Sequence, residues 1–202
     1  MRRLQVCTVL LAPFLAQAQQ ATPVWPEEPN SIFGLTLGKK VTELSGLVRC
    51  PQVPVMPGGR LTMPDYNFKG GICYEDERYL GIGNIKVWGT PDLGVSYNTE
   101  LVIRNGELHG AVLTLSSSNV KHFFDVLVTR YGKPAKSDLK TYQNRFGAKY
   151  EGRVHTWIGP NVFMSFSEVG GKVDTAEFLM ATQTYIESRK PKVDPATAKD
   201  RL

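Results

Sequence analysis

The sequence predicts an α+β fold, in which antiparallel sheet packs with one or two helices on one face. The first observation is an apolar stripe at helical period across residues 119–131. The second is a series of short, strand-like segments, and the third is Asn105-Gly106, a dipeptide typical of type I′ hairpin turns. Of the 202 residues, 42% are hydrophobic and 21% are charged, which excludes an intrinsically disordered chain.

The N-terminus has the pattern of a secretory signal peptide. Arg2 and Arg3 precede an apolar run at residues 4–15, and Ala16-Gln17-Ala18 then matches a small-x-small cleavage site. The run is too short to span a bilayer. We therefore predict a signal peptide at 1–18, a periplasmic or secreted mature protein, and no transmembrane span after cleavage.

Composition divides the rest of the chain. Residues 19–30 contain three prolines and predict an extended leader, and residues 31–188 contain the elements of the α+β globular domain. Residues 189–202 predict a basic, flexible tail. The formal net charge of +5 is too small for a nucleic-acid-binding surface, so we expect no nucleic-acid partner.

The cysteine count predicts one disulfide. Cys50 and Cys73 are the two cysteines left after cleavage, and an even number in an oxidising compartment indicates a bond. The bond closes a loop rich in proline and glycine at 49–71, and such a closure stabilises the fold by about 3 kcal/mol. A redox-active or metal-binding pair is the alternative, but the close C-x-x-C spacing of such sites is absent.

In the first half of the domain, alternation and turn residues predict mostly strands. The expected elements are a strand at 32–37, a helix at 38–48, and strands at 71–75, 84–88 and 95–104. A second strand at 107–115 follows the Asn105-Gly106 turn. A two-residue turn pairs Arg104 with Glu107, Ile103 with Leu108, and Leu101 with Gly110.

The second half begins with the clearest helix. Its apolar stripe comprises Val120, Phe123, Phe124, Leu127, Val128 and Tyr131. Ser117 or Ser118 is expected to cap its start, and Gly132 to end it. Strands are predicted at 138–146, 153–158, 162–168 and 175–185.

Polarity selects a register for the strands at 153–158 and 162–168. A loop of Gly159-Pro160-Asn161 pairs Ile158 with Val162, Thr156 with Met164, and Val154 with Phe166, which gives one apolar face. The opposite face then carries Arg153, His155, Trp157 and Phe163. Asn161 is expected in the left-handed conformation that such loops require.

A faint internal repeat suggests a two-unit architecture. Leu35-Thr36-Leu37 and Leu113-Thr114-Leu115 each precede a predicted helix, 78 residues apart. The repeat predicts two tandem helix-plus-sheet units, at 31–104 and 107–188. Such an arrangement resembles the architecture of secreted β-lactamase inhibitor proteins. Because no motif is shared, the resemblance implies no functional residue.

No pattern predicts a catalytic residue, a cofactor or a metal site. The serines lack a G-x-S-x-G elbow, the three histidines lack zinc-ligand spacing, and the glycines lack a phosphate-binding fingerprint. Tyrosine, tryptophan and arginine are the usual anchors of protein interfaces. We therefore expect partner binding at Arg153, His155, Trp157 and Phe163, unless loops cover these aromatic residues.

These observations favour an exported, non-enzymatic binding protein of the inhibitor, immunity or envelope-accessory type. Its expected partner is a protein in the cell envelope or outside the cell. One alternative is a small envelope hydrolase using His155, for which a deep pocket holding His155 beside a carboxylate is expected. Another is a structural envelope component recruited through the basic tail.

Overall fold

The computed structural model describes residues 25–75, 83–143 and 145–190. The predicted signal peptide, half of the leader and nearly all of the basic tail lie outside these residues, so their predicted boundaries stay predictions. The described strands are β1 Ser31–Ile32, β2 Leu35–Thr36, β3 Leu47–Arg49, β4 Gln52–Pro54, β5 Thr62–Pro64, β6 Ile72–Tyr74, β7 Asn84–Trp88, β8 Tyr97–Arg104, β9 Glu107–Ser116, β10 Lys136–Gln143, β11 Lys149–Ile158, β12 Val162–Ser167 and β13 Thr175–Thr182. The described helices are α1 Val120–Tyr131, α2 Gln183–Ser188 and two 3₁₀ turns at Val41–Glu43 and Ser117–Asn119.

One mixed sheet of nine strands dominates the fold, in the order β10-β11-β12-β13-β9-β8-β7-β6-β3. Its neighbouring strands are antiparallel except β3 and β6, which run parallel. Two further sheets, β1–β2 and β4–β5, have two strands each. The predicted α+β class, with antiparallel sheets covered by one or two helices, is therefore wrong, because the described chain is mostly β.

The helix predicted at 38–48 is the main reason for this error. Gly38 has a φ of +78°, and a 3₁₀ turn and β3 replace the expected helix. Val41, Leu44 and Leu47 are all buried. The spacing of these apolar residues therefore indicates that they are in the core, but not that they form a helix. A weak helical period is easily overridden when strand pairing buries the same residues.

The two halves of the chain do not form tandem units. β9 pairs with β13 from Ser116↔Thr175 to Gly110↔Ala181, so both halves share one sheet. The described part of the first half, residues 31–75 and 83–104, holds no α-helix. The prediction of two helix-plus-sheet units is therefore wrong, and the architecture that suggested inhibitor proteins is not found.

Several individual elements agree with the sequence. β7 has the predicted bounds, and β6, β8, β9, β12 and α1 differ by one or two residues. The predicted strand at 32–37 is instead a tight hairpin, because Phe33 and Gly34 have φ values of +54° and +82°. The cap before α1 also differs, since Ser116 Oγ accepts a hydrogen bond from Ser118 N at 3.4 Å.

The two faces of the nine-strand sheet are buried differently. On one face, α1 packs through Phe123 against Phe166 and Phe178, with ring centroids 5.3 and 5.8 Å apart. This face holds most of the core. On the other face, α2 covers only a small cluster around Val102 and Ala181. We call the first the helix face and the second the outer face.

Candidate functional site

The structure does not place the four predicted partner-binding residues on one surface. Ile158 pairs with Phe163, Trp157 with Met164, and His155 with Phe166, one residue away from the predicted register. Because directly opposed residues share a face, this shift moves Trp157 and His155 to the helix face. Phe163 lies on the outer face instead.

His155 and Trp157 are core residues. Trp157 is 1% exposed and His155 is 5% exposed. The Phe124 ring of α1 lies 4.2 Å from the imidazole ring, centroid to centroid. Trp157 Nε1 donates a hydrogen bond to Gly132 O at 2.9 Å. Arg153 lies on the same face in the middle of β11, but it is exposed.

His155 is the centre of a chain of three polar side chains. Its Nδ1 lies 2.8 Å from Ser137 Oγ, and its Nε2 lies 3.2 Å from Glu168 Oε1. Because a carboxylate only accepts, a neutral imidazole makes both contacts with its proton on Nε2 and with Nδ1 accepting from the Ser137 hydroxyl. Glu168 is itself held by a hydrogen bond from Arg153 N to Oε2 at 2.8 Å.

Ser137, His155 and Glu168 are thus arranged like a nucleophile, a base and an orienting carboxylate. Ser137 is exposed on the edge strand β10, while His155 is buried behind it. The cavities formed near α1 and near the disulfide loop are lined by other residues. The described residues therefore have the contacts of a catalytic relay, but none of these three cavities holds His155, as a hydrolase was expected to show.

Ser137 and Glu168 are the site residues that the sequence did not reveal. Ser137 precedes the strand predicted at 138–146, whereas β10 begins at Lys136. Two strand registers would have found them. The pairing of β10 with β11 places Ser137 directly opposite His155, and the observed register of β11 and β12 pairs Val154 with Ser167, so that Glu168 follows the end of β12 beside Arg153.

The outer face of β10, β11 and β12 forms a half-exposed surface of mixed chemistry. It carries Tyr142, Val154, Thr156, Phe163, Ser165 and Ser167, all of intermediate exposure. The hydroxyl groups at one end are fixed, because Tyr142 Oη lies 3.0 Å from Ser167 Oγ, which donates to Val169 O at 2.6 Å. We call these six residues the outer patch.

Cys50 and Cys73 lie at disulfide distance, with their Sγ atoms 2.06 Å apart. They join the end of β3 to β6, so the staple fastens the last strand of the sheet to its neighbour. The loop that it closes carries Tyr66, whose ring lies 4.3 Å from the Trp88 ring. A cavity of about 340 Å³ lies beside these rings, with Tyr97 and Asn98 on its wall.

Comparison of the chain with known protein families, curated proteins and solved structures finds no match. Among the described residues, no helix has the length and apolar character needed to cross a membrane.

Proposed function

We propose that this protein is an exported, non-enzymatic binding protein that recognises a protein partner through the outer patch. The observation that carries the proposal is the half-exposed Phe163, which lies directly opposite the exposed Ile158, with the pairs Thr156–Ser165 and Val154–Ser167 next along the same face. Exposed aromatic side chains are enriched in the cores of protein interfaces. A sheet face also fits a protein better than a small molecule, because small-molecule sites are usually concave.

The cysteine pair supports the export part of the proposal. Disulfides persist in oxidising compartments and are rare in the cytosol. If the protein is exported, native material begins at Gln19 and its two remaining cysteines resist alkylation until a reductant is added. An intact Met1 terminus together with freely alkylated Cys50 and Cys73 would contradict export.

Partner capture is tested with two matched substitutions on opposite faces of the sheet. Phe163→Thr removes the aromatic anchor but keeps a residue that suits a strand. Leu139→Thr removes a side chain that is 58% exposed on β10, opposite Arg153 and so on the helix-face side. Both variants should unfold within about 1 kcal/mol of the parent protein, since neither site is fully buried.

The immobilised parent protein and both variants are then exposed to cell-envelope extract, and retained proteins are quantified by mass spectrometry. We expect one protein to be retained by the parent and by Leu139→Thr, and to be depleted at least tenfold on Phe163→Thr. The identity of that protein distinguishes an inhibitor, an immunity protein and an envelope accessory factor. Equal retention by all three proteins would exclude the outer patch.

A hydrolase is the second candidate function, and the Ser137–His155–Glu168 chain is the observation that favours it. With its proton accepted by His155 Nδ1, the Ser137 oxygen would attack an ester or amide carbonyl, and the imidazolium would return the proton to the leaving group. A fluorophosphonate probe should then label the protein at Ser137 and fail to label Ser137→Ala. An unlabelled parent protein would leave the relay with a structural role.

A further inference from the structure

A second cavity lies at the C-terminal end of α1, separate from the outer patch. Its volume is about 200 Å³, and its walls include Trp25, Glu27, Tyr131, Gly132, Lys133 and Trp157. The segment before β1 forms one wall, and β11 forms the other. The volume is below the ~300 Å³ at which pockets for drug-sized ligands begin, so a small group is the expected occupant.

Three aromatic rings meet at this cavity in fixed positions. Trp25 Nε1 donates to Tyr131 O at 2.8 Å, and Trp157 Nε1 donates to Gly132 O at 2.9 Å. The Trp25 and Tyr131 rings meet edge to face, with centroids 6.3 Å apart and planes 72° apart. Because its indole N–H binds the backbone, Trp25 offers the cavity mainly ring surface, whose faces attract cations, whereas Trp157 is 1% exposed and contributes little surface.

The electrostatics of the remaining wall also favour a positive ligand. Tyr131 and Gly132 are at the C-terminal end of α1, where the helix dipole places partial negative charge. The Glu27 carboxylate lies close by, because its Oε2 is 3.4 Å from the position of a Cβ built on Gly132. The Glu27 carboxylate thus adds a full negative charge beside the aromatic rings, and the end of α1 adds a partial one.

Two positive groups stand near the same cavity. The Arg130 guanidinium carbon lies 5.5 Å from the Tyr131 ring centroid, so that ring already attracts one cation. Lys133 is exposed on a flexible stem and lines the opening. Burial raises the pKa of the Tyr131 hydroxyl, with Arg130 acting in the opposite direction, so Tyr131 is neutral at pH 7. Among the lining residues named above, Glu27 is therefore the one that carries a full negative charge.

We propose that this cavity binds a substituted ammonium group, such as a trimethylammonium head. Methylated ammonium groups present a weakly hydrated, apolar surface with a positive charge, and aromatic walls beside a carboxylate recognise both properties. A compact ammonium such as an unmodified lysine is strongly hydrated, so it loses more on entering a small apolar cavity. This site goes beyond the proposed protein-binding role and does not depend on it.

Three sources supply this chemistry: a free small molecule, a lipid head group and a methylated lysine side chain. The experiment titrates the purified, oxidised protein with choline and with its neutral isostere 3,3-dimethyl-1-butanol, monitored by calorimetry. We expect choline to bind at least tenfold more tightly than the isostere. Phosphatidylcholine against phosphatidylglycerol vesicles, and trimethyl-lysine against lysine peptides, then distinguish the sources.

Two charge variants sharpen the test without removing an aromatic ring. Glu27→Gln keeps the shape of the side chain and should weaken choline binding at least fivefold. Lys133→Met removes the competing ammonium and should strengthen binding about threefold. Thermal melting should give the same Tm for both variants and the parent protein, because both side chains are exposed.

The aromatic wall is tested separately with Trp25→Ala, which should abolish choline binding. Trp25→Phe keeps a ring while losing the hydrogen bond to Tyr131 O, and should retain part of the affinity. Equal binding of choline and its neutral isostere would overturn the proposal and make the cavity a simple apolar pocket. Failure of choline, trimethyl-lysine peptide and phosphatidylcholine vesicles to bind at millimolar concentration would overturn it as well.

Discussion

The hairpins β8–β9 and β11–β12 fix their registers by different means. In β8–β9, Asn105 and Gly106 adopt φ values of +52° and +76°, and the turn itself pairs Arg104 with Glu107. In β11–β12, distant groups hold the connection, since Glu28 Oε1 accepts from Asn161 N at 2.7 Å and from Val162 N at 2.6 Å. The register of β8–β9 is therefore encoded locally, whereas the register of β11–β12 depends on tertiary contacts.

Even in β8–β9 the influence of the turn is short. The register shifts between Val102 and Ile103, so that Val102 pairs with Gly110 and His109 becomes the extra residue of a bulge. His109 Nδ1 lies 2.9 Å from Thr182 Oγ1, and a Cβ at Gly110 would clash with Met180 O. The turn therefore sets the register of the first two residue pairs only. Beyond them, contacts to β13 and to Thr182 at its end set it.

The largest effect should come from removing the anchor of the tertiary hairpin. Trp157→Ala deletes a ring that is 1% exposed and leaves a large cavity beneath α1. Such truncations cost about 3–5 kcal/mol of unfolding free energy. Chemical denaturation of the oxidised protein measures this loss. A cost below ~1 kcal/mol would place Trp157 on a surface and contradict the register of β11.

The neighbouring residue supplies the control for that measurement. Ile158 is 40% exposed on the same strand, so Ile158→Ala should cost less than ~1 kcal/mol. Trp157→Phe keeps most of the ring but loses the hydrogen bond to Gly132 O, and its cost should fall between the other two. This order of three values tests the observed faces of β11 directly.

The next largest effect should come from the long-range clamp on the β11–β12 connection. Glu28→Ala removes an acceptor for two backbone N–H groups and for Asn161 Nδ2 at 3.2 Å. Hydrogen bonds to a charged group are worth about 1.5–3 kcal/mol, and we expect a loss of unfolding free energy in that range. Amide exchange at Asn161 and Val162 should accelerate while exchange at Leu108 stays unchanged.

The locally encoded hairpin should respond to its turn alone. Gly106→Ala places a side chain in the left-handed region and should cost about 1–2 kcal/mol. Asn105→Gly, at the other central position, tolerates the same region and should be near neutral or mildly destabilising. If both substitutions cost the same, tertiary contacts rather than the turn fix this register as well.

The same distinction between local and tertiary signals explains which elements could be predicted from the sequence. The Asn105-Gly106 turn, α1 and β7 were predicted because their signals are local: positive φ, helical period and strand alternation. The β11–β12 register was wrong, because Val154, Thr156 and Ile158 look more apolar than Arg153, His155 and Trp157. Asn161 was expected to be left-handed, yet among the described non-glycine residues only Phe33 and Asn105 have positive φ.

The candidate site was missed for a related reason. Burying His155 and Trp157 requires partners for their ring nitrogens, and these are supplied by Ser137, Glu168 and the Gly132 carbonyl. Those partners lie 13 to 25 residues away along the chain. No local sequence pattern indicates these partners. Residue polarity alone therefore placed His155 and Trp157 on the face opposite the apolar core, which is wrong.

The smallest predicted effect measures how much the contact between Ser137 and His155 stabilises the fold. Ser137→Ala removes the hydroxyl that His155 Nδ1 accepts from, and a neutral hydrogen bond is worth about 0.5–1.5 kcal/mol. Ser165→Ala, on the outer patch, is a control that leaves His155 untouched and should cost less. Because the two residues share one contact, His155→Gln after Ser137→Ala should cost less than His155→Gln alone. Additive costs would mean that Ser137 and His155 do not interact, and the stability role of the chain would then belong to Glu168.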